Sequence, residues 1–215
     1  MTKREIQRKR TMSYFIDAAA KILEEEGKEA VSIRKVANLA GYNSATLYNY
    51  FENLDHLIFF AAMRFIKEYA HSLHNYIKDS NNALENFLAI WECFCHYSYN
   101  QPEIYCAIFF ARLNNSLDDY TEQYYKLFPE ELGNQPKGIS TMLLKHDIYK
   151  RDLIIVETCI EEGFFREEDK DEINEMTLLL YQGILLKVIN KKISKEEAIR
   201  RTMIYIKKIV GIYKV

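Results

Sequence analysis

The chain has 215 residues, 48% of them hydrophobic, which suits a globular protein of one large or two modest domains. Seven glycines and three prolines are too few for the frequent turns of an all-β fold. No run of about 18 apolar residues marks a transmembrane helix.

The net charge of −2 hides an asymmetry, because residues 1–51 hold nine Lys or Arg against six Asp or Glu. Lys3, Arg4, Arg8, Lys9 and Arg10 concentrate that charge at the start, the pattern of an end that faces nucleic acid. This basic start has no apolar signal core behind it, and four cysteines fit buried thiols better than a disulfide framework. A soluble, cytoplasmic protein without membrane association is expected.

In chain order, a first helix is predicted from about Arg10 to Glu26 on the stripe Tyr14, Phe15, Ala18, Ala19, Ile22 and Leu23, closed by Gly27. Ser32 is placed to cap a second helix carrying Ile33, Val36, Ala37 and Ala40, which Gly41 ends through a left-handed cap. Asn43 or Ser44 caps a third, from Ala45 to Phe51. A boundary near residue 52 then divides an N-terminal unit, 1–52, from a helical body, 53–215. Asn53 or Asp55 opens a long fourth helix reaching about Lys78, and 83–99 reads as a central helix, apolar on most sides. Pro102 opens another helix, and 128–138, with Pro129, Gly133, Pro136 and Gly138, reads as a loop. Helices over about Ile139–Glu162, Asp171–Asn190 and Ser194–Tyr213 complete an all-α fold.

The segment AGYNSATLYNYF, followed by ENLDHL, resembles the recognition segment of the TetR/AcrR family of bacterial transcriptional regulators. The register of Ser32, Ala37, Ala40, Gly41, Thr46, Leu47, Tyr48, Tyr50 and Phe51 carries the likeness. It implies an N-terminal three-helix helix-turn-helix domain and a C-terminal ligand-binding and dimerisation domain. The roles it implies put Ser44, Ala45 and Asn49 toward base edges, and Thr46 and Tyr48 on phosphates. Arg34 matches a position that reaches a base or a phosphate, Ser32 offers backbone N–H groups to a phosphate, and Asn43 joins the same surface. Leu47, Tyr50 and Phe51 belong to the core. The family commonly has lysine where Leu54 stands, which leaves the basic N-terminal arm as the source of phosphate charge.

The resemblance further implies a homodimer through a four-helix bundle, with Met176, Leu180, Gly183 and Ile184 meeting Met203, Ile206 and Val210. An aromatic set, Trp91, Phe94, Tyr97, Tyr105, Phe109, Phe110 and Tyr124, is expected to line a cavity for a lipophilic or flat ligand. Cys93 and Cys95, two apart on a helix, point about 200° from each other, so neither metal nor cofactor is expected. With no G-x-S-x-G elbow, phosphate-cradling glycine loop or H-E-x-x-H, an enzyme is not expected either. The sequence therefore implies a regulator of double-stranded DNA: a repressor released from a palindromic operator by a small, lipophilic effector. The alternative is a helix-turn-helix adaptor that recruits a protein.

Overall fold

The computed structural model describes residues 2–110, 117–133 and 135–215, and all regular structure among them is helical. Eleven α-helices occur in these residues: α1 Lys3–Glu26, α2 Ile33–Ala40, α3 Ser44–Leu47, α4 Leu54–Ile77, α5 Ala83–Ser98 and α6 Pro102–Phe110, then α7 Leu117–Leu127, α8 Lys137–Leu143, α9 Ile148–Glu161, α10 Lys170–Ile189 and α11 Lys195–Tyr213.

Three departures from the sequence reading have local causes. The first helix begins at Lys3, well before Arg10, because Thr2 and Glu5 form a reciprocal capping box. Thr2 Oγ1 accepts from the Glu5 N–H at 3.2 Å, and the Glu5 carboxylate accepts from the Thr2 N–H at 2.7 Å. The basic arm is thus the first turns of α1. The third helix is regular only over four residues, after which Tyr48 to Tyr50 continue as turns. The predicted helix from Ile139 to Glu162 is two helices, α8 and α9, broken at 144–147. Asp147 caps the N-terminus of α9 by accepting from the Tyr149 N–H at 2.9 Å. The Arg151 guanidinium, one turn on, donates to the carbonyls of Leu143 and Lys145 left open by the end of α8.

The chain packs into two compact units, one of residues 1–67 with 112–129 and one of residues 68–111 with 130–215. This division crosses the expected boundary near residue 52, because the first part of α4 and all of α7 pack with the N-terminal helices. The first unit has a core of Phe15, Ile16, Ala19, Ile22, Val36, Leu47, Phe51 and Phe60. Tyr124 and Phe128, at the end of α7, join that core. Tyr124 meets Phe60 edge-on at 5.3 Å, and the Arg64 guanidinium lies 4.6 Å from the Phe128 ring.

In the second unit α5 is packed by α6, α9 and α11, and α10 packs against α9 and α11. Trp91, Phe94, Cys95, Tyr99, Tyr105 and Tyr181 are buried there. No helix among the described residues is long and apolar enough to cross a membrane.

Candidate nucleic-acid interface

The turn between α2 and α3 follows from two short-range interactions. Gly41 adopts φ 77° and ψ 27°, a left-handed conformation that costs glycine no Cβ clash. Asn43 then caps α3, its Oδ1 accepting from the Thr46 N–H at 2.8 Å and from the Thr46 hydroxyl at 3.0 Å. One amide side chain so fixes the entry of a helix too short to be stable alone. Ser32 does the same for α2, accepting from the Lys35 N–H.

These caps sort the residues of the segment by side. Leu47 and Phe51 are buried and anchor α3 to the unit's core, while Tyr50 is half-buried against Phe15. On the other side Ala45, Tyr48 and Asn49 are exposed, Tyr48 at 59% despite its large ring. Ser44 and Thr46 are half-buried between the two sides. Ser32, Arg34, Asn43 and Ser44, with Lys35, Ala37, Asn38 and Tyr42, line a surface groove of about 520 Å³. Lys35, Asn38 and Tyr42 were not singled out from sequence. Only Asn38 sits at a polar, exposed position of α2 that marks it as a candidate.

The helical arm adds a second groove on the same unit. Lys3, Arg4, Gln7 and Arg8 line it with Asn49 and Tyr50, around about 700 Å³. Arg8 Nη1 donates to the Asn49 carbonyl at 3.2 Å, and its guanidinium lies 5.2 Å from the Tyr50 ring. Exposed cations are therefore held beside the end of the recognition segment, where Leu54 supplies none.

Behind this surface, His56 is 4% exposed at the start of α4. Its ring stacks on Tyr120 at 4.1 Å, and its Nδ1 accepts from the Glu52 N–H. Burial holds its pKa below the usual histidine value, against the opposing pull of Glu52.

The expected effector residues divide between the units. Phe94 is a hub of the second unit, meeting the rings of Tyr69, Trp91, Tyr105, Phe109 and Tyr181 at 5.1–5.8 Å. Such edge-on and tilted packing fills the space that the sequence reading assigned to a cavity. Phe110 lies against Tyr181, and the Tyr97 hydroxyl pairs with Ser72. Tyr124 is not with them, because it packs in the first unit against Phe60 and Phe128.

A small recess remains in the second unit, lined by Trp91 and Phe94 and by residues the sequence reading missed: Tyr69, Ile90, Met142, Ile148, Arg151, Asp152 and Ile155. Asp152 carries no motif, and only its burial beside Trp91 identifies it. Cys93 and Cys95 are buried, with the Cys93 thiol pushed up to about 12 by burial and that of Cys95 pushed higher still. Among the described residues no group of three or more His, Cys, Asp or Glu is placed to hold a metal.

The expected dimer residues also need correction. Ile184, Met203, Ile206 and Val210 are buried inside the protomer, Ile206 completely, so they offer a second copy little surface. The apolar side chains left exposed on these two helices are their neighbours. They are Met176, Leu179 (60%) and Leu186 on α10, with Ile204, Tyr205 and Ile212 (68%) on α11. Gly183 lies on the exposed side of α10 with them, and Leu180 is half-buried.

Residues 15–59 match the family model of the bacterial regulatory proteins of the tetR family. No curated protein matches the chain significantly. Solved structures share its fold over nearly its whole length. A TetR transcription regulator from Haloarcula marismortui is 12% identical with a TM-score of 0.61, covering 96% of this chain and 99% of its own. Thermus thermophilus FadR, a TetR family transcriptional repressor in complex with lauroyl-CoA, is 11% identical with a TM-score of 0.58, covering 91% and 92%. RolR in complex with resorcinol is 15% identical with a TM-score of 0.59, covering 96% and 94%.

Proposed function

We propose that this chain, a transcriptional regulator of the TetR family by its DNA-binding domain and its fold, is a dimeric repressor that leaves a palindromic operator when a small molecule enters its helical body. One observation carries the DNA side of this reading. The Asn43-capped turn anchors α3 by Leu47 and Phe51 while leaving Ala45, Tyr48 and Asn49 exposed. The segment so held offers base edges an amide from the turn after α3 and a methyl group from α3: Asn49 suits an adenine edge and Ala45 a thymine methyl.

Tyr48 and Thr46 supply hydroxyls to phosphates, Ser32 and Arg34 approach the backbone from α2, and Lys3, Arg4 and Arg8 add charge from α1. One such unit reads too short a site for specificity. A second copy packed on the exposed apolar faces of α10 and α11 sets two units about 34–36 Å apart, one turn of the duplex. Acting on DNA, the protein works in the cytoplasm.

Release requires that the ligand prefer the geometry that does not fit the operator. A preference of about 1–3 kcal/mol weakens DNA binding roughly 5- to 150-fold. The helix positioned to pass that preference on is α4, whose residues to 67 belong to one unit and whose later residues belong to the other. The complexes of FadR with lauroyl-CoA and of RolR with resorcinol support small-molecule binding by this fold.

Selection of bound sites from random duplexes tests the specific reading. A twofold-symmetric consensus that loses definition in Asn49→Ala is the expected result. Enrichment of no sequence, together with stable capture of a protein partner by the helix-turn-helix unit, would favour the adaptor instead.

A further inference from the structure

Asp152 is 2% exposed and sits on the wall of the recess of the second unit. Its Oδ1 accepts from the Trp91 indole N–H at 2.8 Å, and its Oδ2 has no hydrogen-bond partner. Carboxyl oxygens are seldom buried with their bonding capacity unused, because the lost hydration is not recovered. Apart from Arg151, the other walls are apolar or aromatic, among them Tyr69, Ile90, Trp91, Phe94, Met142 and Ile155.

Resting on the effector reading above, we infer that this recess takes a small neutral ring compound bearing a hydroxyl group, which bonds Asp152 Oδ2 while the ring lies against Trp91 and Phe94.

Charge selects against the alternatives. Buried Arg151 also lines the recess, so a cationic ligand meets a like charge there as well as the carboxyl. An anionic ligand is repelled once the carboxyl is ionised, above about pH 8. A hydroxyl suits both states of the carboxyl, donating to the ionised form and accepting from the protonated one. An ether oxygen can only accept.

Size sets a further limit. About 290 Å³ of atom-free space, part of it open solvent, surrounds the recess, but only about 20 Å³ is wide enough for the centre of a water molecule. That holds one water. A ring enters only if a wall moves, and Met142, unbranched and flexible, is the wall best able to do so. A single ring needs far less wall movement than a long acyl chain does.

Trp91 is the chain's one tryptophan, which makes its fluorescence a local reporter. The test titrates the full chain, without DNA and at about pH 9, where the Asp152 carboxyl is ionised and only accepts, with phenol and anisole, following Trp91 fluorescence and heat of binding. Saturable phenol binding is expected, with anisole at least about tenfold weaker. Asp152→Asn should lose phenol affinity by a similar factor at an unchanged thermal midpoint or above. Anisole binding as tightly as phenol, an Asp152→Asn variant that binds phenol unchanged, or no binding of phenol at all would each overturn the inference. The phenol–anisole comparison uses the unaltered chain, so it stands even if the variant does not fold. Because no duplex is present, failure here leaves the DNA-binding reading untouched, and failure to bind DNA leaves this result interpretable.

Discussion

Asp152 and His56 titrate with opposite consequences because burial penalises the charged form of each. Burial raises the Asp152 carboxyl to about 8 from an ordinary 3.8, offset only in part by the Trp91 hydrogen bond. The folded chain then keeps a proton that the unfolded chain has released. Stability is fully favoured below about pH 4 and declines as pH rises toward 8, by at most about 1.4 kcal/mol per unit. The groups around it do not add to this trend: Arg151 stays cationic, and the Cys159 thiol, pushed up to about 12, stays neutral.

Urea unfolding between about pH 5 and about pH 9 should therefore show the native chain losing stability relative to Asp152→Asn until about pH 8, then levelling. A difference that does not change with pH would refute the assignment. For His56 the native pKa lies below the ordinary 6.5, so the unfolded chain takes the proton first. Its contribution is whole above about pH 6.5 and is lost as pH falls through that value. His56→Phe should flatten that acid-side loss, measured in the same way.

The caps decided which elements were legible. Ser32, Asn53 and Ser194 each precede a helix in the sequence and each accepts from the N–H three residues on, as their residue types suggest. Gly27 and Gly41 end helices where expected, both at positive φ. What was not legible depended on partners remote from the apolar stripe. The start of α1 lies in the Thr2–Glu5 exchange, ahead of any periodic hydrophobic residue. The break between α8 and α9 depends on Arg151, a charged residue at a buried position that periodicity alone ranks as solvated.

Two predictions belong at this level. Asn43→Ala removes the cap of α3 and should cost about 1 kcal/mol of stability in thermal or urea unfolding. Its loss of DNA affinity should exceed that of Tyr50→Phe. Arg8→Ala should weaken binding to every duplex alike and lower the slope of log affinity against log salt by about 0.9, as removal of one phosphate contact does. An unchanged slope would mean that the α1 groove does not face DNA.

For the molecule as a whole, the sequence conveyed an all-α chain with a DNA-facing end more readily than its assembly. Ile184 and Leu186 are equally apolar and two residues apart, yet one is buried in the protomer and the other is exposed. Composition cannot separate a face that packs against α9 or α11 from one reserved for a second copy. The aromatic residues were mixed cavity markers for the same reason, since Trp91 and Phe94 line the recess while Tyr124 serves the other unit.

The exposed stripes of α10 and α11 should bury the ~1,200–2,000 Å² of a stable dimer. Leu179→Glu with Ile212→Glu should give a folded monomer by sedimentation, with helical content retained.

The measurement that bears most directly on the account is equilibrium binding of the full chain to the duplex upstream of its own gene, over a range of salt and protein concentrations. Saturation at two chains per palindrome and a steep loss of affinity with salt are expected, with weaker binding by Asn49→Ala and by the Leu179→Glu, Ile212→Glu variant. Absence of binding to that duplex and to sites selected from random sequence, even at low salt, would contradict it.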